Sequence, residues 1–160
     1  MFERSWLYYI INVRAIAKSG YILMKGGKTM EMDLEYSGKR SFKTTVRGHQ
    51  VVTDLPQKGG GDDSAPTASE LFVTSMGACM ALFGVRYLET AKMDPSGLSM
   101  KIKAGFSPDK KRIESMGFSV SIPNAELGPR KKALISAMKQ CVIHNTLHDN
   151  PEMTIDVIER

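Results

Sequence analysis

The sequence is short of cysteine, of long apolar runs and, over most of its length, of charge of one sign. Each shortage narrows what the protein can be. Only two cysteines, Cys79 and Cys141, occur in 160 residues. Two thiols cannot build the disulfide framework of a small secreted scaffold, so a reducing, cytoplasmic setting is expected. The N-terminal apolar stretch, Trp6 to Val13, covers eight residues. A bilayer span needs about 18 or more, and Glu3 ahead of Arg4 departs from the cleanly basic start of a secretion signal. Neither a membrane nor an export partner is expected. Of the net charge of +5, most belongs to residues 1–30, where Arg4, Arg14, Lys18, Lys25 and Lys28 face only Glu3. The rest of the chain is nearly neutral, which argues against nucleic acid as a partner of the folded domain. Residues 1–29 therefore read as a basic arm, or as an upstream extension with Met24 and Met30 as alternative starts. Residues 30–160 read as one domain, long enough to bury a core.

What is present begins with a strand pattern. Met32, Leu34 and Tyr36 alternate, Ser37-Gly38 marks a turn, and Ser41 to Asp54 is rich in β-branched residues. Pro56 to Pro66 reads as a loop with Gly59-Gly60-Gly61 as a flexible centre. Thr67 followed by Glu70 makes a capping box, and the helix it opens should run to about Lys92, before Asp94-Pro95-Ser96-Gly97. From Leu71 to Val85 this helix has no charged residue. It is apolar on every face and calls for burial all round. One chain of this size has difficulty covering it, so a homodimer with shared cores is expected. Two strands follow, Leu98 to Phe106 and Ile113 to Ile122. A second helix from about Pro129 carries Ala133, Leu134, Ala137, Met138 and Cys141 on one stripe. That places Cys141 on its buried face near its end, with a further turn to about Leu147. Met153 to Ile158 reads as a last strand.

The two cysteines are the candidate chemistry. A thiol pair in apolar segments can act as a redox couple, in which one sulfur is oxidised to sulfenic acid and the other condenses with it. The plain alternative is that both are small core residues, as free cysteine often is. Cys141, His144 and His148 could share a helical face, but the helix end frays and no fourth ligand is evident, so no metal is expected. His49 lies in a strand and reads as structural. Gly59 to Asp63 is not a phosphate loop, for it lacks the GK[ST] that follows one. No cofactor is implied.

Three pieces of sequence, in order, resemble the OsmC/Ohr family of hydroperoxide reductases, in its OsmC-like branch. They are Gly48-His49-Gln50-Val51-Val52-Thr53-Asp54 before a Gly-rich loop, Glu70-Leu71-Phe72 leading to Gly77-Ala78-Cys79, and Cys141-Val142-Ile143-His144-Asn145-Thr146-Leu147. The resemblance implies an α+β fold, an intertwined homodimer with two long central helices packed against antiparallel sheets. It implies Cys79 as the peroxidatic and Cys141 as the resolving cysteine. Arg40, with Arg47 second, matches the arginine that polarises thiolate and peroxide, and Glu70 the glutamate that orients it. In the Ohr pattern that glutamate stands ten residues before the cysteine. Here Ser69 holds that position, and one residue is about 100° of helix. The implied activity is reduction of organic hydroperoxides, with an external dithiol as reductant. The alternative is a non-catalytic module that holds a small hydrophobic ligand in the same place.

A mid-helix Cys79 gains little from its own helix dipole, so on sequence grounds a cation such as Arg40 or Arg47 is needed to form the thiolate.

Overall fold

Three antiparallel strands come first in the computed structural model, which describes residues 30–159. They are β1 (Glu35–Gly38), β2 (Ser41–Val46) and β3 (His49–Thr53), paired in that order. The first turn is two residues long, since Gly38 pairs with Ser41. Arg40 therefore sits at a hairpin tip. The second turn, Arg47-Gly48, has φ of +51° and +83°. Positive φ at both central residues is the primed turn that matches strand twist. Residues 1–29, and with them the basic arm, lie outside the described residues. Residues 32–34, expected to open the first strand, are exposed and carry no ladder.

The glycine-rich loop is not a slack connection. Asp54, at the end of β3, is only 2% exposed. Its carboxylate accepts the N–H groups of Leu55 at 2.8 Å, Asp62 at 3.0 Å and Ser64 at 3.1 Å, and the Ser64 hydroxyl at 2.8 Å. These bonds hold its pKa down to about 2, because they stabilise the charged form. A short 3-10 turn, Gln57–Gly59, fits inside this loop. A Cβ on Gly61 would overlap the Leu55 carbonyl oxygen, so glycine is there for close approach rather than for flexibility.

The long helix, α1 (Ala68–Thr90), begins where the capping box places it. Thr67 Oγ1 accepts the Glu70 N–H at 3.2 Å, and Glu70 Oε2 accepts the Thr67 N–H at 2.7 Å. One face of α1 buries Met76, Gly77, Met80, Gly84 and Leu88. A Cβ on Gly77 would overlap Ile102 Cδ1, so this helix lies directly on the next sheet. That sheet is the hairpin β4 (Ser99–Phe106) and β5 (Ile113–Ser121). Its register pairs Met100 with Val120, Ile102 with Phe118 and Ala104 with Met116. Met100, Ile102, Met116, Phe118 and Val120 are half-buried while their strand neighbours are exposed, as period-2 alternation requires.

A second helical region completes the core. It is two helices, α2 (Lys131–Met138) and α3 (Val142–His148), not one. Leu134 and Met138 of α2 pack beside Gly84, whose missing Cβ would stand 3.4 Å from Met138 Cγ. The fully enclosed side chains of this region are Leu88 and Cys141, both 0% exposed. Burying Leu88 removes an apolar side chain from water, worth about 1.5–3 kcal/mol. The opposite side of α1 is uncovered: Leu82 is 49% exposed. Only 28% of its most apolar 18-residue window is buried within one chain. By length and composition this helix could cross a membrane, but that test is passed equally by a soluble core helix.

The expected last strand does not form. Residues 151–159 carry neither helix nor strand and belong to a unit separate from Met32–Asn150. Met153 and Ile155 are 85% and 92% exposed. Alternating apolar residues become a strand only when a ladder partner takes their backbone groups.

Candidate functional site

The fold brings Cys79 and Cys141 together. Cys79 is half-buried on α1 and packs against the core cluster that contains Cys141. Cys141 stands between α2 and α3. The α2 hydrogen bonds end with Lys139 N–H to Ile135 O and Gln140 N–H to Ala137 O. Cys141 then takes φ −58° and ψ 130°, and its carbonyl accepts the Asn145 N–H as the first bond of α3. It is the N-cap residue of a new helix. The apolar stripe expected to carry it along one continuous helix is broken here, and the break turns the first N–H groups of α3 toward the thiols.

Those N–H groups contribute to the electrostatics of Cys79. Burial alone pushes the Cys79 thiol up, and it is the largest single influence. It is outweighed by three donors acting together: the Cys141 thiol and the backbone N–H groups of Ile143 and Val142. The net result is a Cys79 thiol below the ordinary range. Cys141 moves the other way. Burial raises it, and so does its role as donor to Cys79, against smaller help from the His144 and Ile143 N–H groups. The two thiols are joined by a hydrogen bond, and Cys79 is the one that gives up its proton more readily. No arginine is among the influences on Cys79. Within one chain the groups that lower the Cys79 thiol are the Cys141 thiol and two backbone donors at the start of a helix.

Within one chain, Arg40 and Glu70 have other neighbours. Arg40 extends over the glycine loop, where a Cβ on Gly60 would be 3.6 Å from its Nε. Beside it, Lys39 pairs with Asp62 of the same loop. Glu70 is engaged by Thr67, whose N–H and hydroxyl it accepts at 2.7 and 2.9 Å, and this holds its carboxyl below the usual range. Arg47 is at the tip of the second hairpin turn and His49 opens β3. Three further features have settings that the sequence reading did not assign. Two are the donors of Val142 and Ile143 and the buried Asp54. The third is His144, whose Nδ1 is enclosed with no hydrogen-bond partner. Only the carboxylate had a signal that could have been read: a lone Asp between a strand and a Gly-rich loop is a loop organiser by type.

A cavity of about 380 Å³ opens beside the thiols' helices. Met76, Met80, Met116 and Phe118 line it, together with Lys139, His144 and His148. Its size and apolar lining suit a small organic ligand. Among the described residues no cluster of three or more His, Cys, Asp or Glu side chains could hold a metal ion.

An α+β fold with a coupled thiol pair at a helix start defines a class of thiol proteins. The family model described as OsmC-like protein matches residues 60–156, and the chain belongs to that family. No curated protein matches the sequence. Solved structures match the fold. A Psychrobacter arcticus protein, named for osmotic stress induction and a detoxification response, aligns with a TM-score of 0.68 at 14% identity, over 77% of this chain and 91% of its own. An OsmC-like protein of Mycoplasma pneumoniae aligns with a TM-score of 0.64 at 16% identity, over 79% and 91%. A Legionella pneumophila protein named as the organic hydroperoxide resistance protein OsmC aligns with a TM-score of 0.57 at 17% identity, over 79% and 93%. The expected α+β class and family are thereby established.

Proposed function

We propose that this protein is a cysteine-based hydroperoxide reductase that converts organic hydroperoxides to alcohols. The observation that carries this reading is the Cys79–Cys141 pair, in which donors outweigh burial and lower the Cys79 thiol. The Cys79 thiolate attacks the terminal oxygen of ROOH. The O–O bond breaks, the alkoxide takes a proton and leaves as ROH, and Cys79 becomes a sulfenic acid. The Cys141 sulfur then displaces the hydroxyl as water and forms the Cys79–Cys141 disulfide. An external dithiol returns both sulfurs to thiols by exchange. The apolar cavity favours peroxides with a hydrocarbon tail over hydrogen peroxide.

The uncovered face of α1 supports a homodimer as the working form. In that assembly we assign Arg40 to the peroxide and Glu70 to its orientation. A cytoplasmic location fits a couple that needs a dithiol to reset it. Within one chain Arg40 lies over Gly60 and Glu70 caps α1. That observation favours a second reading, a non-catalytic module using the cavity to hold a hydrophobic ligand.

The test is intact mass and free-thiol count after one equivalent of cumene hydroperoxide, or of hydrogen peroxide, is added to the reduced protein. Loss of both thiols, faster with the organic peroxide and abolished in Cys79→Ser, is expected. Thiols that persist for many minutes would sink the enzyme and direct attention to ligand binding.

A further inference from the structure

A second groove, of about 470 Å³, opens at the tip of the β4–β5 hairpin. Its floor is apolar: Phe72 of α1, Phe106 of β4, Ile113 and Met116 of β5, and Leu147 of α3. Phe72, Phe106 and Leu147 are exposed large apolar side chains. Gathered on one concave face, they make a patch rather than scattered single residues. At one end stand three consecutive cations, Lys110, Lys111 and Arg112, all exposed. Among the described residues no carboxylate lines the groove.

The local chain keeps the nearby carboxylates out of it. Gly105 pairs with Ser115 but Phe106 pairs with Ile113, so Glu114 is the extra residue of a bulge. A bulge breaks the two-residue alternation and re-aims the side chains beside it. Ile113 thereby lines the groove, and Glu114 does not. Glu114 instead accepts from Arg112 Nη2 at 3.0 Å. Asp109 is taken up within the turn, where it accepts the Ser107 hydroxyl at 2.6 Å and the Lys111 N–H at 3.2 Å. The Lys110 N–H closes the same turn on the Ser107 carbonyl at 2.8 Å. Lys110 holds φ +56° there, a left-handed conformation that glycine would take at less cost. Among the described residues neither Lys110 nor Lys111 is in an ion pair.

We propose that this groove binds a single-chain amphiphile with an anionic head, a carboxylate or a phosphate monoester. The head meets Lys110 and Lys111. The tail lies along Phe106, Phe72 and Leu147, where removing its methylenes from water drives binding. Cations at one end and apolar side chains along the rest fit one charged end on an apolar body. A nucleic acid would call for cations spaced along its track. A bilayer would call for apolar side chains on a protruding surface, and a concave groove offers it little to enter. Neither cysteine lines the groove, so binding there does not depend on the thiol chemistry.

The test is fluorescence titration of the full-length protein with dansylundecanoic acid. The dye is then displaced by laurate, dodecyl phosphate, 1-dodecanol or inorganic phosphate, all below micelle concentrations. Laurate, dodecyl phosphate or both should displace it at least about tenfold more tightly than 1-dodecanol, the difference that one charge-assisted hydrogen bond makes. The tighter of the two identifies the head. Inorganic phosphate alone should not displace the dye. Salt should weaken the anionic competitors and leave 1-dodecanol unchanged. Lys110→Gly with Lys111→Ser removes two charges and should erase the preference over 1-dodecanol, and glycine suits the left-handed turn, so the fold is spared. Lys131→Ser with Lys132→Ser, exposed on α2 and outside the groove, removes the same charge and should change nothing. Phe106→Ser should weaken laurate and 1-dodecanol alike, by about tenfold. If its thermal midpoint falls, the hairpin pair decides. No dye binding, 1-dodecanol as tight as both anions, or an equal loss in the α2 pair would overturn the proposal. Binding to phosphatidylglycerol vesicles without displacement of the dye by either anion would assign the face to a membrane instead. Dye binding per chain that falls as protein concentration rises would assign it to a second copy of the chain.

Discussion

Asp54 and Cys79 are two acids taken partly or wholly out of water, and the protein treats them differently. Asp54 receives four hydrogen bonds from its own loop, and its carboxylate has nowhere further to go. Cys79 faces a set of donors that outweighs burial, and its residue stays only partly buried. Backbone N–H groups help stabilise both anions, joined by the Ser64 hydroxyl at Asp54 and led by the Cys141 thiol at Cys79. The difference is saturation. A filled shell makes a structural anchor, whereas a partly filled one next to an opening makes a nucleophile.

The comparison can be broken by substitution. The largest effect should come from Cys79→Ser, which should lower the rate of organic hydroperoxide consumption by at least about 10³-fold. A stopped-flow assay reads this directly. Asp54→Ala should leave the alkylation rate of Cys79 unchanged and lower the thermal midpoint by about 5 °C or more, because three N–H groups lose their acceptor. If alkylation slows and the midpoint holds, the roles assigned to the two sites are reversed. Acid provides a milder version of the same change. The Asp54 pKa is depressed to about 2 in the fold. Its contribution is therefore complete above the unfolded carboxylate range and is lost as pH falls from about 4 toward 2. Asp54→Asn should flatten denaturant-measured stability across that window.

Two smaller effects sharpen the picture. Cys141→Ala removes one of three donors, so the Cys79 alkylation midpoint should move upward in pH while remaining a single titration. A midpoint that stays put would mean the Val142 and Ile143 N–H groups suffice. Thr67→Ala removes the α1 cap and should cost about 1 kcal/mol in denaturant unfolding, with no change in Cys79 reactivity. A change there would tie the capping box to the thiol.

Much of this architecture was legible in the sequence. The capping box at Thr67 and Glu70 fixed the start of α1, since its signature is local. The hairpin β4–β5 announced itself through alternation. The approach of Cys79 to Cys141 came only through the family resemblance, because 61 residues of chain lie between them. The break before α3 was illegible for a physical reason. No Gly or Pro marks it, and the apolar stripe runs through Met138 to Cys141 without a visible fault. The same break supplies two of the donors that lower the Cys79 thiol, so one unmarked junction hid both the end of the helix and part of the thiol's setting. The strand assigned to Met153–Ile158 failed for another reason, since alternation reports a two-faced segment and not the neighbour it must pair with.

The placement of Cys141 at the entry to α3 has a mechanical consequence. A bond from Cys79 to Cys141 would staple the long helix to that junction and close a ring of about 60 residues. In the chain-entropy account such a ring removes about 4 kcal/mol of freedom from the unfolded chain. The oxidised protein should therefore melt well above the reduced one, so that its own heat resistance becomes a gauge of how much peroxide it has met.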